Sequence, residues 1–245
     1  MLKAWEELPK YMQNEEVREY YDILAKRKGH LLFKRVFDVT VASILLLLLS
    51  PVMLVIAVAI KVNSKGPVFF RQVRITQYGK EFRIFKFRTM VVDAEKIGTQ
   101  VTVGNDPRIT KVGHMIRKTR LDEIPQLLNV LKGEMSFVGT RPEVPKYVNQ
   151  YQPEMRATLL MPAGITSKAS IEFKDEEKIL NGVDDVDKVY VEKVLPLKMI
   201  YNMAYIKKFR AWGDIKLMIQ TALAVIKKDT NEPPVSAINN SEVTM

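Results

Sequence analysis

From Val39 to Ile60 the chain runs through 22 residues without a charge, VTVASILLLLLSPVMLVIAVAI, and no other segment matches it in length or apolarity. As a straight helix it would measure about 33 Å, against a bilayer core of about 30 Å. Leu45 to Leu49 offers no polar face, which disfavours a surface helix of a soluble protein. Elsewhere apolar residues recur at helical spacing. Val17, Tyr20, Tyr21 and Leu24 make one such face; Leu121, Ile124, Leu127, Leu128 and Leu131 make another, ended by Lys132-Gly133. Val189 to Phe209 reads as a long amphipathic helix with Met199, Met203 and Ile206 on one side, as core or membrane-facing filler. Asp214 to Ile226 is a last helix, apolar around much of its circumference and suited to a membrane interface.

Between these helices lie short strands. Val68 to Phe70 and Phe82 to Phe87 flank a turn at Tyr78-Gly79, and Met135 to Val138 is a third apolar run. Val91 to Val103 reads as helix then loop. Asp106-Pro107 starts a short helix, with Asp106 as its cap, and Thr110 to Thr119 is basic and amphipathic. Glu154 to Leu160 is a helix leading into a Pro/Gly turn over Met161 to Ser167. Asp175–Ile179 and Val183–Val189 are polar and acidic, and the polar tail from Asp229 to Met245 is expected to be disordered.

Three fates compete for the apolar run. A signal peptide is disfavoured, since the run starts deep in the chain and no small-residue cleavage site follows. An ordinary transmembrane anchor is the default for this length. The third is a helix that enters one leaflet, bends at Ser50-Pro51 and leaves on the same side. Proline lacks an N–H and crowds the carbonyl four residues back, so a kink is expected there. Lys34 and Arg35 precede the run, and Lys61 and Lys65 follow it. Basic residues mark the cytoplasmic side, and here they flank both ends, which raises the same-side reading and leaves the straight anchor open, since spanning helices tolerate proline too.

Composition narrows the chemistry. The chain of 245 residues has no cysteine, which excludes disulfides, thiolate zinc sites and thiol nucleophiles; two histidines exclude a His-rich metal site. The net charge is +10, and residues 31 to 120 hold 16 Lys/Arg against 5 Asp/Glu. Next to a membrane segment this points to anionic lipid, at about 1 kcal/mol per well-placed Lys or Arg. Nucleic acid is disfavoured, since no RNP aromatics, zinc-finger spacing or helix-turn-helix signature is present. Asp122 and Glu123 open the second amphipathic helix, where the macrodipole favours acids without any catalytic role. Lys86 and Arg88 are either solvated strand residues or a phosphate clamp.

The blocks FKRVFDVTVASILLLLLSP, GPVFFRQVRIT, FRIFKFRTM, DPRITKVG, RLDEIPQLLNVLKGEMSFVGTRPE, AGIT and DIKLMI stand in order from Phe33 to Lys228. In this they resemble the bacterial sugar transferases of the monotopic phosphoglycosyl transferase superfamily. The resemblance implies an α/β, mostly helical fold: a re-entrant membrane helix and interfacial amphipathic helices around a small catalytic domain with short strands. Residues 1–32 would be an N-terminal extension, 33–228 the transferase domain with 39–60 as its membrane helix, and 229–245 a tail. It implies transfer of a sugar-1-phosphate from a UDP-sugar to undecaprenyl phosphate, with release of UMP and a need for Mg²⁺. That reaction opens polysaccharide, capsule or glycoconjugate assembly at the cytoplasmic face of the bacterial plasma membrane. A homo-oligomer is compatible with it.

By the same resemblance Asp122 is a nucleophile that forms an aspartyl-phosphosugar, and Glu123 helps bind Mg²⁺. Arg141, Lys86 and Arg88 contact phosphate, Asp214 is a further essential carboxylate, and Ser50-Pro51 is the membrane bend. Taken alone, Asp214 reads as a helix cap after Gly213. Two departures from the family pattern stand out. Thr140 replaces a proline before Arg141, and Met161 to Ser167 lacks a basic residue that many members carry, which loosens the inference of the donor sugar. Two other readings stay open: direct transfer in a ternary complex, and a non-enzymatic membrane module.

Overall fold

The computed structural model describes residues 2–94, 106–173, 180 and 185–226. In chain order its helices and strands are α1 (Glu15–Ala25), α2 (Lys28–Asn63), β1 (Phe69–Phe70), β2 (Val73–Ile75), β3 (Glu81–Arg83), β4 (Lys86–Phe87) and α3 (Lys111–Lys118). A 3₁₀ turn (Leu121–Gln126) leads into α4 (Leu127–Lys132), β5 (Met135–Val138) and α5 (Pro145–Val148). A second 3₁₀ stretch (Glu154–Leu160), where the sequence suggests an ordinary helix, is followed by β6 (Ala163–Thr166), α6 (Lys168–Glu172) and α7 (Val186–Val189). A π turn (Tyr190–Val194), α8 (Leu195–Lys207) and α9 (Ala211–Ile226) complete the described chain. Most of the expected Val91–Val103 element, the Asp175–Ile179 stretch, the start of Val183–Val189 and the 229–245 tail lie outside the described residues.

The helical expectation for the N-terminal segment is met at α1, where Asn14 Oδ1 accepts from Val17 N at 2.8 Å as an N-cap. Val17, Tyr20 and Leu24 are buried in the largest core, together with Leu160, Met199 and Met203. The Tyr20 hydroxyl donates to Glu154 Oε1 at 2.5 Å. The first 32 residues thus share the core of the following domain, and the boundary drawn at residue 32 falls inside α2. Met199, Met203 and Ile206 are core residues, not membrane-facing ones.

Helix α2 continues without interruption through Pro51. The missing N–H of Pro51 would have bonded the carbonyl of Leu47, and Ser50 Oγ donates to that carbonyl instead, at 2.8 Å. Leu47, Leu48, Leu54 and Val55 are exposed, while both flanks of this apolar middle are packed. On the N-terminal flank, Arg35 donates to Val130 O (2.6 Å) and Leu131 O (2.9 Å), carbonyls of the last turn of α4. Asp38 Oδ1 accepts from Phe137 N of β5 at 3.3 Å. On the C-terminal flank, Ile56 and Ile60 pack with Phe87 of β4 and Ile116 of α3. Both ends of the helix are therefore seated on the same folded body.

Among the described residues three two-stranded sheets form: β1–β4 and β2–β3 antiparallel, and β5–β6 parallel. The turn at Tyr78-Gly79 is where the sequence places it, with both residues at positive φ (61° and 72°). The run from Phe82 to Phe87 is split in two, however. Buried Asn129 reaches in, accepting from Phe85 N at 2.8 Å and donating to Arg83 O at 3.0 Å, and so takes the place of a neighbouring strand at the break.

Two further expectations are corrected. Met161 to Ser167 is not a turn, because Ala163–Thr166 is a strand paired in parallel with β5. A Cβ on Gly164 would lie 2.2 Å from Gly139 N, so the glycines permit a close backbone approach. Asp106-Pro107 does not start a helix either. Asp106 instead turns the chain by accepting from Arg108 N at 2.9 Å and binding the Arg108 guanidinium, and α3 starts only at Lys111 under a Thr110 cap.

Candidate active site

A group of charged side chains gathers on the 3₁₀ turn Leu121–Gln126. Arg120 enters it in the left-handed region (φ 56°). Pro125 lacks the N–H that would close an α turn onto Leu121, and its ring crowds that carbonyl. In the tighter 3₁₀ geometry, successive side chains diverge by about 120°, where the α-helical expectation is about 100°. Asp122 and Glu123 therefore face different surroundings.

Glu123 is held by two cations at one oxygen. Lys86 Nζ from β4 donates to Oε1 at 2.8 Å, and Arg141 Nη2 donates to the same atom at 3.0 Å. Burial alone would raise the Glu123 pKa, but Lys86 and Arg141 outweigh it and hold the carboxyl well below the usual range. Burial likewise pulls the Lys86 ammonium down; Glu123 opposes this and Arg141 adds to it. Arg141 comes from the loop after β5 and stays 34 % exposed, so it is both tethered and accessible.

Asp122 is the contrast. It is 9 % exposed, and its Oδ1 is buried with no hydrogen-bond partner among the described residues. Burial pushes its pKa up; Lys86 opposes that, and the charge of Glu123 adds to it. One acid of the dyad is thus locked as a counter-ion, while the other keeps a bare oxygen.

The remaining sequence candidates lie elsewhere. Arg88 does not join the phosphate grouping: its guanidinium donates to Ser64 O, Ser64 Oγ and Lys65 O, each at 2.8 Å, closing the C-terminal end of α2. Asp214 is not a helix cap, since α9 starts at Ala211. It is ion-paired with Lys34 and accepts from the Tyr205 hydroxyl at 2.9 Å, and burial raises its pKa against the pull of Lys34. Sequence reasoning treated Lys34 only as a membrane flank. A buried role is legible in hindsight from the Lys34/Asp38 spacing of four at the head of the apolar run. Asn129 was also missed; its signal is a single amide inside an otherwise apolar helix.

The turn thus offers two carboxylates, Asp122 with its unpartnered Oδ1 and Glu123. Among the described residues no three acidic or imidazole groups cluster as a metal cage. One or two carboxylates suit Mg²⁺, which otherwise keeps water and takes phosphate oxygens from a substrate.

Residues 29–228 match the family model described as bacterial sugar transferase. The UDP-glucose:undecaprenyl-phosphate glucose-1-phosphate transferase of Escherichia coli K12 is 41% identical over 194 residues, covering 78% of this chain and 39% of that protein. The UDP-N-acetylgalactosamine-undecaprenyl-phosphate N-acetylgalactosaminephosphotransferase of Aeromonas hydrophila is 36% identical over 196 residues, covering 79% of this chain and 43% of that protein. A putative undecaprenyl-phosphate N-acetylgalactosaminyl 1-phosphate transferase of Bacillus subtilis is 41% identical over 135 residues, covering 55% of this chain and 75% of that protein. The chain thus spans about two fifths of the length of the first two.

Proposed function

The chain belongs to the bacterial sugar transferase family, and from that premise we propose that it transfers a sugar-1-phosphate from a UDP-sugar to undecaprenyl phosphate, releasing UMP. The observation that carries this reading is the bare Asp122 oxygen beside a Glu123 carboxylate that holds Lys86 and Arg141 in place. A phosphoryl group in displacement carries dispersed negative charge, and two cations on a buried scaffold are suited to it.

In the first step an Asp122 carboxylate oxygen attacks the phosphorus that bears the sugar. The bond from that phosphorus to the bridging oxygen breaks, and its electron pair leaves on UMP. In the second step a phosphate oxygen of the polyprenol phosphate attacks the same phosphorus, and the bond to Asp122 breaks to regenerate the carboxylate. Burial favours the attack, because a poorly solvated carboxylate sheds little water. Glu123 would help hold Mg²⁺, which when bound supplies charge neutralisation for the diphosphate. Lys86 and Arg141, already oriented by Glu123, bind and orient the non-bridging oxygens.

The membrane arrangement follows from α2. Its exposed middle is apolar, and both of its flanks are seated on the charged domain. A straight crossing would carry one seat through the bilayer, whereas a bent insertion into one leaflet keeps both on the cytoplasmic face. Exposed Lys61 and Lys65 then meet anionic head groups.

The test is UMP release by the purified chain with undecaprenyl phosphate, Mg²⁺ and a panel of UDP-sugars including glucose, galactose and N-acetylgalactosamine. Labelled donor without acceptor should leave a phosphosugar on the protein. UMP release that occurs only with the acceptor, and no trapped adduct, would replace the two-step mechanism by direct transfer. No release with any donor would remove the transferase reading.

A further inference from the structure

The loop that carries Arg141 is tied down along its whole length. At its start Gly139 N donates to Thr166 O at 3.0 Å, and Gly164 N donates to Thr140 O at 2.9 Å. At its end Arg74 Nη1 donates to Pro142 O at 3.1 Å, and Ile75 N donates to Glu143 O at 3.0 Å. Beneath the loop the Glu143 side chain turns inward and is buried. The Tyr190 hydroxyl donates to Glu143 Oε1 at 2.6 Å, Lys198 Nζ lies 3.4 Å from the same oxygen, and Lys198 Nζ donates to the Tyr190 oxygen at 2.8 Å. All three residues are at least nine-tenths buried.

The helix that supplies Tyr190 and Lys198 is distorted in a way that serves this contact. Residues eight apart on an α-helix point about 80° away from each other, but a π turn takes up one extra residue and reduces the divergence to about 20°. The π turn spans Tyr190–Val194, between the two. It brings the hydroxyl and the ammonium onto one face, toward Glu143. A buried ion pair gives little net stability over well-packed apolar groups, so this cluster is poorly explained by stability alone. Glu143 is two residues from Arg141 and within electrostatic reach of it; burial would raise the Glu143 pKa, but Lys198 leads the groups that keep it lowered.

We propose that Glu143, Tyr190 and Lys198 are positioning residues that hold the Arg141 loop in register with Glu123, so that the guanidinium meets substrate phosphate. The role rests on the sugar-phosphate transfer reading above. It also links the π turn and α8 to the phosphate site, although neither contributes a residue that touches substrate.

The test uses the full chain in nanodiscs, with Tyr190→Phe, which removes one hydroxyl at constant shape, and Glu143→Gln. Amide exchange over residues 139–144 should rise about tenfold, while the amides of α4 keep their protection. Donor kcat/KM should fall about 10- to 100-fold. In an Arg141→Ala background the same substitutions should change kcat/KM by less than about twofold, because there is no guanidinium left to position. Equal losses in both backgrounds, or exchange that rises in α4 as much as in the loop, would make the cluster merely structural and overturn the proposal. If the unmodified chain releases no UMP with any donor, the transfer reading fails. The exchange experiment then decides alone: a rise confined to the loop supports positioning, and unchanged exchange refutes it.

Discussion

The hydroxyl of Ser50 donates to the carbonyl of Leu47, the one backbone acceptor that Pro51 leaves without an N–H. In an apolar stretch that carbonyl has no water to turn to. Ser50→Ala should therefore lower stability by about 1–3 kcal/mol, the cost of leaving a polar group without a partner in an apolar surround. Pro51→Ala restores the N–H, so adding it to Ser50→Ala should recover most of the loss. Thermal unfolding in detergent checks this; equal melting temperatures for the single and double variants would show that Leu47 O does not depend on Ser50.

Asp122→Asn should separate activity from stability. Burial raises the pKa of Asp122, so folding disfavours its ionised form relative to the unfolded chain. A neutral isostere relieves that penalty. The variant should melt at a higher temperature than the parent while forming no phosphosugar adduct. A lower melting temperature would mean that the carboxylate is stabilising, and adduct formation would remove Asp122 as nucleophile.

The acid limb of the rate profile carries the same residue. Attack needs the carboxylate, so kcat/KM should fall as pH drops through the Asp122 pKa, which lies above its ordinary value of 3.8. Lys86 opposes the rise. Replacing Lys86 with Met should therefore move the limb of the residual activity to still higher pH. A limb that stays in place would show that another group limits the rate at low pH.

Lys34 and Asp214 form an ion pair whose side chains are 5% and 6% exposed. Breaking it from one side, by Lys34→Met or Asp214→Leu, strands a buried charge and should cost about 3–5 kcal/mol. The double replacement should recover most of that. Whatever fraction of Asp214→Leu folds should still form the adduct, because the contacts of Asp214 are with Lys34 and Tyr205 and not with the dyad. Folded protein without adduct would give Asp214 a chemical role.

Local pattern makes α1, α2 and the Tyr78-Gly79 turn legible, because each depends on spacing within a dozen residues or on one backbone-setting residue; the stretch that carries Asp122 and Glu123 reads as α-helix and is a 3₁₀ turn. What escaped depended on partners far along the chain. Gly164 reads as a turn until Gly139 is known to press against it. Arg88 reads as a phosphate ligand until Ser64 and Lys65 offer it carbonyls. The break between β3 and β4 needs Asn129, more than 40 residues away. Within the site, spacing alone leaves Asp122 and Glu123 as acids at a helix start, and their phosphate chemistry comes only with the family resemblance. The division of labour between the two acids came from burial and from which oxygen Lys86 and Arg141 share.

The two seats of α2 bear on how the acceptor is found. A body hung from one end of a helix can swing and tilt over the bilayer; one fastened at Arg35 and again at Ile60 is held at a fixed height and angle. On the proposed topology the dyad then hovers at a constant distance above the plane in which polyprenol head groups drift. The lipid-borne acceptor need only wander laterally to arrive at the right depth, so the search for it is two-dimensional, and only the nucleotide sugar has to be captured from the volume above.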